Sequence, residues 1–320
     1  MKRIAIIGAG QLGSRHLQAL QAVAGPLAID VVDPSETSLS RARQRWEEVD
    51  QGHGHTIGFG PEIEGGSTVD LAIVATNADT RLAAVQTLLS RADVRYLLLE
   101  KLLFARRQDA DALVSLGKRT VTTWVNCPMR IMPPYEEIRQ ELGIGPIRYR
   151  VTGSRYGLVT NAIHYLDHVA HLSGCTTFEL ELGDLDSHPV PSKRDGFIEL
   201  TGALTARFSD GSRCDVVCHA EGDAPVVVEI FTARGRYIVR EDAGLMWASR
   251  ADDGWQWCER PARIPYQSEL TAHLVEELRI TGATGLTPLD ESVQLHLQLL
   301  EPLRAALDAR GVAAETYPFT

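Results

Sequence analysis

The sequence predicts an α/β fold: a doubly wound parallel sheet in residues 1–125, followed over 126–320 by an α+β domain with an open mixed or antiparallel sheet. Three observations carry this reading. Short Val/Ile/Leu-rich runs alternate with helix-like stretches up to about residue 125. A glycine-rich turn joins the first run to the first helix. After residue 126, shorter segments of alternating character divided by turn residues replace that rhythm. At about 150 residues per domain, 320 residues suffice for two such cores.

Arg3–Ile7, Ala28–Asp33, Asp70–Ala75, Arg95–Leu99 and Thr120–Val125 read as strands. They are apolar without strict alternation, as strands covered on both faces must be. Gln11–Val23, Ser35–Glu48, Thr80–Ser90 and Arg106–Leu116 read as the intervening helices. Gln51–Gly66 is glycine-rich and predicts one short strand near Thr56–Phe59 within loops. In the second half, Pro134–Leu142 and Thr160–Leu172 read as helices flanking an extended Ile147–Gly153. Phe197–Phe208, Arg213–Ala220, Val226–Thr232, Arg236–Arg240, Leu245–Ala248 and Gly254–Cys258 then read as sheet strands. Gln267–Thr281 and Leu289–Leu307 are closing helices, the second expected to kink or divide at Pro302.

Composition excludes several classes. The net charge is 32 − 42 = −10, which disfavours nucleic-acid binding, and no apolar run approaches the roughly 20 residues of a membrane span. Five scattered cysteines argue for reduced thiols, and the N-terminal run reaches glycine too soon for a signal peptide. A cytoplasmic enzyme is the expectation.

Gly8-Ala9-Gly10-Gln11-Leu12-Gly13 follows the first strand and opens the first helix. Such glycines permit a tight turn, close backbone approach to a pyrophosphate, and tight helix–strand packing, while the helix N-terminus offers N–H donors. Asp33 stands twenty residues past Gly13, where an acidic side chain meets the adenosine ribose. These residues predict a bound dinucleotide. A carboxylate there favours NAD over NADP, whose 2′-phosphate would meet a like charge; use of NADP stays open.

Glu100-Lys101 follows the fifth strand, at the strand ends that line the ligand crevice of an open parallel sheet. Two readings of Lys101 stand: a solvated charge, or a desolvated amine that exchanges a proton near neutral pH. With Gly8–Gly13 and His16, Ala75-Thr76-Asn77 after the fourth strand and Glu100-Lys101 after the fifth, the chain resembles the Gfo/Idh/MocA oxidoreductases. The resemblance implies an N-terminal Rossmann domain and a C-terminal open mixed sheet. It also implies NAD(P) held by Gly8, Gly10, Gln11, Leu12, Gly13, Asp33, Thr76, Asn77 and Glu100. Lys101 would be the proton donor or relay. The family usually has proline after this lysine, where Leu102 stands here.

Thr160-Asn161-Ala162-Ile163-His164-Tyr165-Leu166-Asp167 is similar to the family's DxGxHxxD helix, which implies catalytic roles for His164 and Asp167. Helical spacing gives Ile163, Leu166, Val169 and Ala170 one face, and His164, Asp167, His168 and His171 another. Asp167, one turn from His164, could orient the imidazole. The histidines could equally form a surface stripe or a ligand set, but no metal is predicted. Thr160 stands where the family has its first aspartate and cannot act as a carboxylate base.

Arg130 closes a segment resembling the family's interdomain stretch and could bind substrate or form a structural ion pair. Arg155, Tyr156 and Asn161 lie where the family places substrate contacts. Arg81, where the family often has histidine, could face the nucleotide or be solvated. Cys214 and Cys218 read as buried thiols on one strand face, while Trp247, Trp255 and Trp257 are expected to pack a sheet face. His53 and His55 carry no usable signal.

Taken together, the resemblance implies hydride transfer between nicotinamide and a secondary alcohol or ketone of a sugar, sugar nucleotide or related polyol. A homodimer or homotetramer through the C-terminal sheet is expected. Two alternatives are a glycoside-cleaving enzyme using tightly bound NAD without net redox, and a non-catalytic dinucleotide-binding regulator.

Overall fold

The computed structural model describes residues 1–48, 53–117, 121–312 and 316–320. These form two compact units, Met1–Asn126 with Pro265–Leu289, and Cys127–Ile264 with Asp290–Thr320. The expected partition at 125/126 is therefore corrected at its far end, because Pro265–Leu289 returns to the first unit. There the helix Gln267–Thr281 packs on the glycine-loop helix, and the short strand Thr287–Pro288 pairs antiparallel with the last strand of the sheet.

In the first unit, β1 (Arg3–Ile7), β2 (Ala28–Val32), β3 (Thr56–Gly60), β4 (Ser67–Val74), β5 (Ala92–Leu99) and β6 (Thr122–Val125) alternate with helices. The helices are α1 (Gln11–Leu20), α2 (Glu36–Glu47), α3 (Ala78–Arg91) and α4 (Arg107–Gly117). The sheet order is Thr287–Pro288, β6, β5, β4, β1, β2, β3, with β1 to β6 all parallel. Because the chain reverses direction across the sheet between β1 and β4, the loops after those strands part and leave a crevice at their carboxyl ends. Ile4, Ala5, Ile6, Leu71, Ala72, Ile73, Leu97, Leu98 and Leu99 are buried, as strands covered by helices on both sides require.

β4 and β5 each start three residues before the expected Asp70 and Arg95. Their first halves alternate buried and exposed positions, so Thr68, Asp93 and Arg95 reach solvent from within a strand. Asp70 is kept within β4 by accepting the backbone N–H of Lys2 and Arg3 at 2.5 and 3.0 Å. Thr120, the expected start of β6, and Gln51 and Gly52, the start of the glycine-rich stretch, lie outside the described residues.

In the second unit, eight strands form one mixed sheet. Its order is Trp257–Pro261, Leu245–Arg250, Gly235–Arg240, Val227–Phe231, Arg148–Ser154, Arg213–His219, Gly202–Phe208 and Phe178–Leu185. Only the central pair, Arg148–Ser154 with Arg213–His219, is parallel. Phe178–Leu185 was not expected, since its acidic residues hide the alternation. It is an edge strand, where Glu181 reaches solvent and pairs with Arg207 at 2.5 Å.

The expected Phe197–Phe208 strand divides into Ile198–Glu199 and Gly202–Phe208, with Gly202 in the positive-φ region. Gly254–Cys258 shifts to Trp257–Pro261 because a tight turn occupies Ala251–Asp253. Trp255 and Trp257, expected to pack, are 40% and 51% exposed; Trp255 lies under the Arg236 guanidinium at 5.1 Å. Pro302 does not divide its helix, which runs unbroken over Leu289–Ala309. The buried stripe Leu295, Leu299, Leu303 and Leu307 outweighs the lost hydrogen bond. Cys214 and Cys218 are buried, as expected.

The helix Leu158–Ser173 packs against this sheet with nearly all its length covered. His168 is fully buried, accepts or donates with the Tyr149 hydroxyl through Nδ1 at 2.9 Å, and meets the Tyr135 ring edge-on at 4.6 Å. Burial, with His171 and Arg130 nearby, holds its pKa well below the usual histidine range. Burial beside Arg130 and Arg139 likewise lowers His171 to about 4.

Both imidazoles are therefore neutral in the folded state, and the unfolded chain takes up protons first. Their contribution to stability is complete above the unfolded value of about 6.5 and is lost as pH falls through His171's folded value of about 4. Urea unfolding between pH 6.5 and 4.5 should show a shallower loss of stability for His171→Gln than for the parent chain. Equal slopes would contradict this account.

Candidate active site

Gly8 follows β1 with φ +96°, and a Cβ there would stand 3.0 Å from the carbonyl carbon of Ala75 and the amide nitrogen of Thr76. A Cβ on Gly13 would fall 1.8 Å from the Gly8 carbonyl oxygen. Gly8 thus fits against the loop after β4, and Gly13 against the turn's own backbone, only without side chains. Gly10, the N-cap of α1, is different: nothing lies within 4 Å of where its Cβ would project. No side chain caps α1, so the first-turn amides around Gln11, Leu12 and Gly13 are available to an anion.

Asp33 holds this turn in place. Its Oδ2 accepts the Ala9 N–H at 2.7 Å and its Oδ1 the Ser35 N–H at 2.8 Å. Gln11 is held from α2, where the Arg45 guanidinium donates to its carbonyl at 3.0 Å and to its Oε1 at 2.6 Å. Arg45 was missed in the sequence because its contact crosses from one helix to the next.

A cavity of about 590 Å³ opens beside the turn. Gly8, Gly10, Asp33, Ile63, Thr76 and Asn77 are among its walls, and the charged residues lining it are both acidic, Asp33 and Glu62. The Thr76 hydroxyl oxygen is buried there without a hydrogen-bond partner among the described residues. An open backbone cradle, a helix N-terminus, an oriented carboxylate and an unsatisfied hydroxyl together fit a dinucleotide. Glu62 is ion-paired with Arg91 at 2.6 Å, so the Asp33 carboxylate is the group that would meet a 2′-phosphate with like charge.

Lys101 is half-buried immediately after β5. Its neighbours are held from inside the unit. Glu100, expected among the cofactor ligands, is 3% exposed, and its Oε1 is bonded instead to His16 Nε2 at 2.9 Å and Asn126 Nδ2 at 2.5 Å. Burial raises its pKa, but His16, Asn126 and the charge of Arg81 outweigh this and hold it below the usual carboxylate range. Arg81 neither faces a nucleotide nor is solvated. It is 1% exposed and donates to the carbonyls of Leu102 and Thr76.

In the second unit, the predicted residues divide by what they touch. Asp167 takes a two-pronged bond from Arg130, Nε to Oδ2 at 2.7 Å and Nη2 to Oδ1 at 2.8 Å, and Arg130 also reaches Glu291. Arg130 and Asp167 are buried, so the open choice for Arg130 resolves to a structural ion pair rather than a substrate contact. Asp167, expected beside His164 in catalysis, is thus anchored by Arg130. Asn161 donates through Nδ2 to the carbonyls of Tyr156 and Gly157 at 2.6 and 3.1 Å, fastening the turn before its helix. Tyr156 donates its hydroxyl to the Val217 carbonyl at 3.1 Å, and burial raises its pKa. Neither side chain is presented as the substrate contact expected of it.

Arg155 is exposed with φ +49°, and His164 is half-buried on the helix. Glu199, which sequence reasoning did not single out, accepts the Val159 and Thr160 N–H groups at 2.9 and 3.0 Å. It supplies the N-terminal cap that Gly157 lacks. Among the described residues, no group of three or more His, Cys, Asp or Glu is placed to hold a metal ion.

Comparison with known proteins bears on this arrangement. The family described as oxidoreductase family, NAD-binding Rossmann fold (GFO_IDH_MocA), matches residues 2–126. Over this segment, which spans the parallel sheet and helices of the first unit, the chain is similar to the Gfo/Idh/MocA oxidoreductases. Among solved structures, an oxidoreductase from Agrobacterium radiobacter in complex with NAD+, L-tartaric acid and magnesium is similar at TM-score 0.73 and 15% identity, over 96% of this chain and 97% of that one. UDP-N-acetylglucosamine 3-dehydrogenase from Acidithiobacillus ferrooxidans is similar at TM-score 0.66 and 16% identity, over 98% and 97%. The transcriptional regulator Gal80p from Kluyveromyces lactis is similar at TM-score 0.69 and 14% identity, over 96% and 92%. A search of curated proteins finds no match.

The matched segment is described as an NAD-binding domain, and the cavity residues Gly8, Gly10, Asp33, Thr76 and Asn77 are those that would hold NAD there. Gly13→Ala should abolish detectable NADH binding, read by nucleotide fluorescence, because its Cβ has nowhere to go. Arg130→Ala leaves a buried carboxylate unpaired and should cost about 3–5 kcal/mol in urea unfolding without changing NADH affinity. A cost below about 1 kcal/mol would show that the pair is not buried as described.

Proposed function

We propose that the chain is an NAD-dependent oxidoreductase acting on a secondary alcohol, or the corresponding ketone, of a sugar, sugar nucleotide or related polyol. The observation that carries this reading is Lys101, a half-buried amine at the carboxyl end of β5 in the same unit as the dinucleotide cavity. NAD, when bound, supplies the acceptor or donor of the hydride. Lys101 takes the hydroxyl proton in the oxidative direction and returns it to the carbonyl oxygen in the reductive one. His164 assists at the substrate hydroxyl, with Arg155 as a further substrate contact. The likeness to UDP-N-acetylglucosamine 3-dehydrogenase agrees with a sugar-nucleotide substrate. A homodimer or homotetramer joined through the open face of the second unit's sheet, in the cytoplasm, completes the proposal; no described helix is long and apolar enough to cross a membrane.

A second reading, a non-catalytic dinucleotide-binding regulator, draws on Thr160, which removes a carboxylate from the histidine helix, and on the likeness to Gal80p. Turnover decides between them. With a panel of UDP-sugars and free sugars, Lys101→Ala should lower NAD-linked turnover by about 10²–10⁴-fold while NADH affinity stays within about twofold. Unchanged turnover removes Lys101 from the reaction. NADH binding by the parent chain without turnover of any panel member favours the regulator.

A further inference from the structure

Resting on the assignment of Lys101 as the proton-transfer group, we infer that His16 is a positioning residue for it, acting through the buried Glu100 carboxylate and completed by Thr271 of the returning helix. The His16 ring is fully buried, 84 residues from Glu100 and 255 from Thr271 in sequence. Its Nε2 meets Glu100 Oε1 at 2.9 Å, and its Nδ1 meets Thr271 Oγ1 at 2.8 Å. An ionised carboxylate only accepts hydrogen bonds, so Nε2 carries the hydrogen in that contact. Asn126 completes a ring, donating through Nδ2 to Glu100 at 2.5 Å and to Gln267 Oε1 at 2.9 Å, while Gln267 Nε2 donates to Thr271 at 3.1 Å.

This ring fixes the residue before Lys101. Arg81 fixes the residue after it, by donating to the Leu102 carbonyl. The lysine backbone is therefore held on both sides by buried side chains, one of which also holds Thr76 in the cavity wall. A flexible four-carbon side chain delivers a proton efficiently only when its base is fixed, and this arrangement fixes it before any substrate arrives. It also gives a reason for Pro265–Leu289 to return to the first unit, since Gln267 and Thr271 close the ring.

The test reads Lys101 directly. The chain has four lysines, so competitive acetylation with acetic anhydride across pH, followed by mass spectrometry, gives the reactivity of Lys101 with Lys2 and Lys193 as internal standards. In the NAD-loaded and unloaded protein, His16→Ala should change the Lys101 labelling rate by about threefold or more, or move its midpoint by about half a pH unit, with both standards unchanged. His16→Gln, whose amide N–H can replace Nε2–H, should label as the parent does. Thr271→Val should give a smaller change in the same direction, and these two variants carry the test should His16→Ala not fold. A lowered unfolding midpoint with unaltered Lys101 labelling in every folded variant overturns the inference. Turnover of Lys101→Ala at the parent rate would instead sink the functional reading beneath it, and the labelling would still report whether His16 positions the amine.

Discussion

The first unit depends on the closeness of two backbones. The turn after β1 lies against the loop after β4 at Gly8, and the start of α1 lies against the turn at Gly13, with no space for a Cβ on either glycine. This approach places the amino end of α1 beside the crevice and leaves Gly10 facing open space. Asp33 reaches across from the end of β2 to hold the turn's backbone, so a carboxylate that lines the cavity also fixes the glycine turn beside it. Every later feature of the site is measured from this contact, including the wall at Thr76 and Asn77.

Around it, the chain invests its buried charges in geometry. Arg81 on α3 and Glu100 at the end of β5 are buried, where an unpaired charge would be costly, and each is satisfied by named partners, so that the residues before and after Lys101 are both held. The second unit repeats the device on its own terms. Arg130 and Asp167 form a bidentate pair that joins the segment after β6 to the histidine helix, and Glu291 ties in the final helix. Glu199 caps the amino end of the histidine helix. Such groups resemble catalytic residues in sequence, since a buried acid or base is needed for either purpose. Their partners tell the two apart.

The outcome at particular residues shows where sequence reasoning reaches and where it stops. The parallel strands were legible because a strand covered on both faces must be apolar throughout, and Lys101 was legible because a charged pair directly after such a run marks a strand end. Phe178–Leu185 was not, because an edge strand tolerates Glu and Asp on its solvent side. For Asp167 the sequence offered only His164, its neighbour one helical turn away, and gave no sign of its bidentate partner Arg130, 37 residues earlier. Asn161 and Tyr156 have the right chemistry for binding a sugar, but their donors are used by backbone carbonyls.

From its own order of residues, this chain determines the alternation of strand and helix, the glycine turn with Asp33 after it, and the placing of Lys101 at a strand's end. These rest on periodicity and on steric limits that act within a few residues. Tertiary structure alone decided that Glu100 answers to His16 and Asn126, that Arg81 lies inside, and that residues 265–289 rejoin the first unit. The physical reason is the cost of burying an unpaired polar group: each must find a partner somewhere, and nothing in its local sequence says how far away that partner lies.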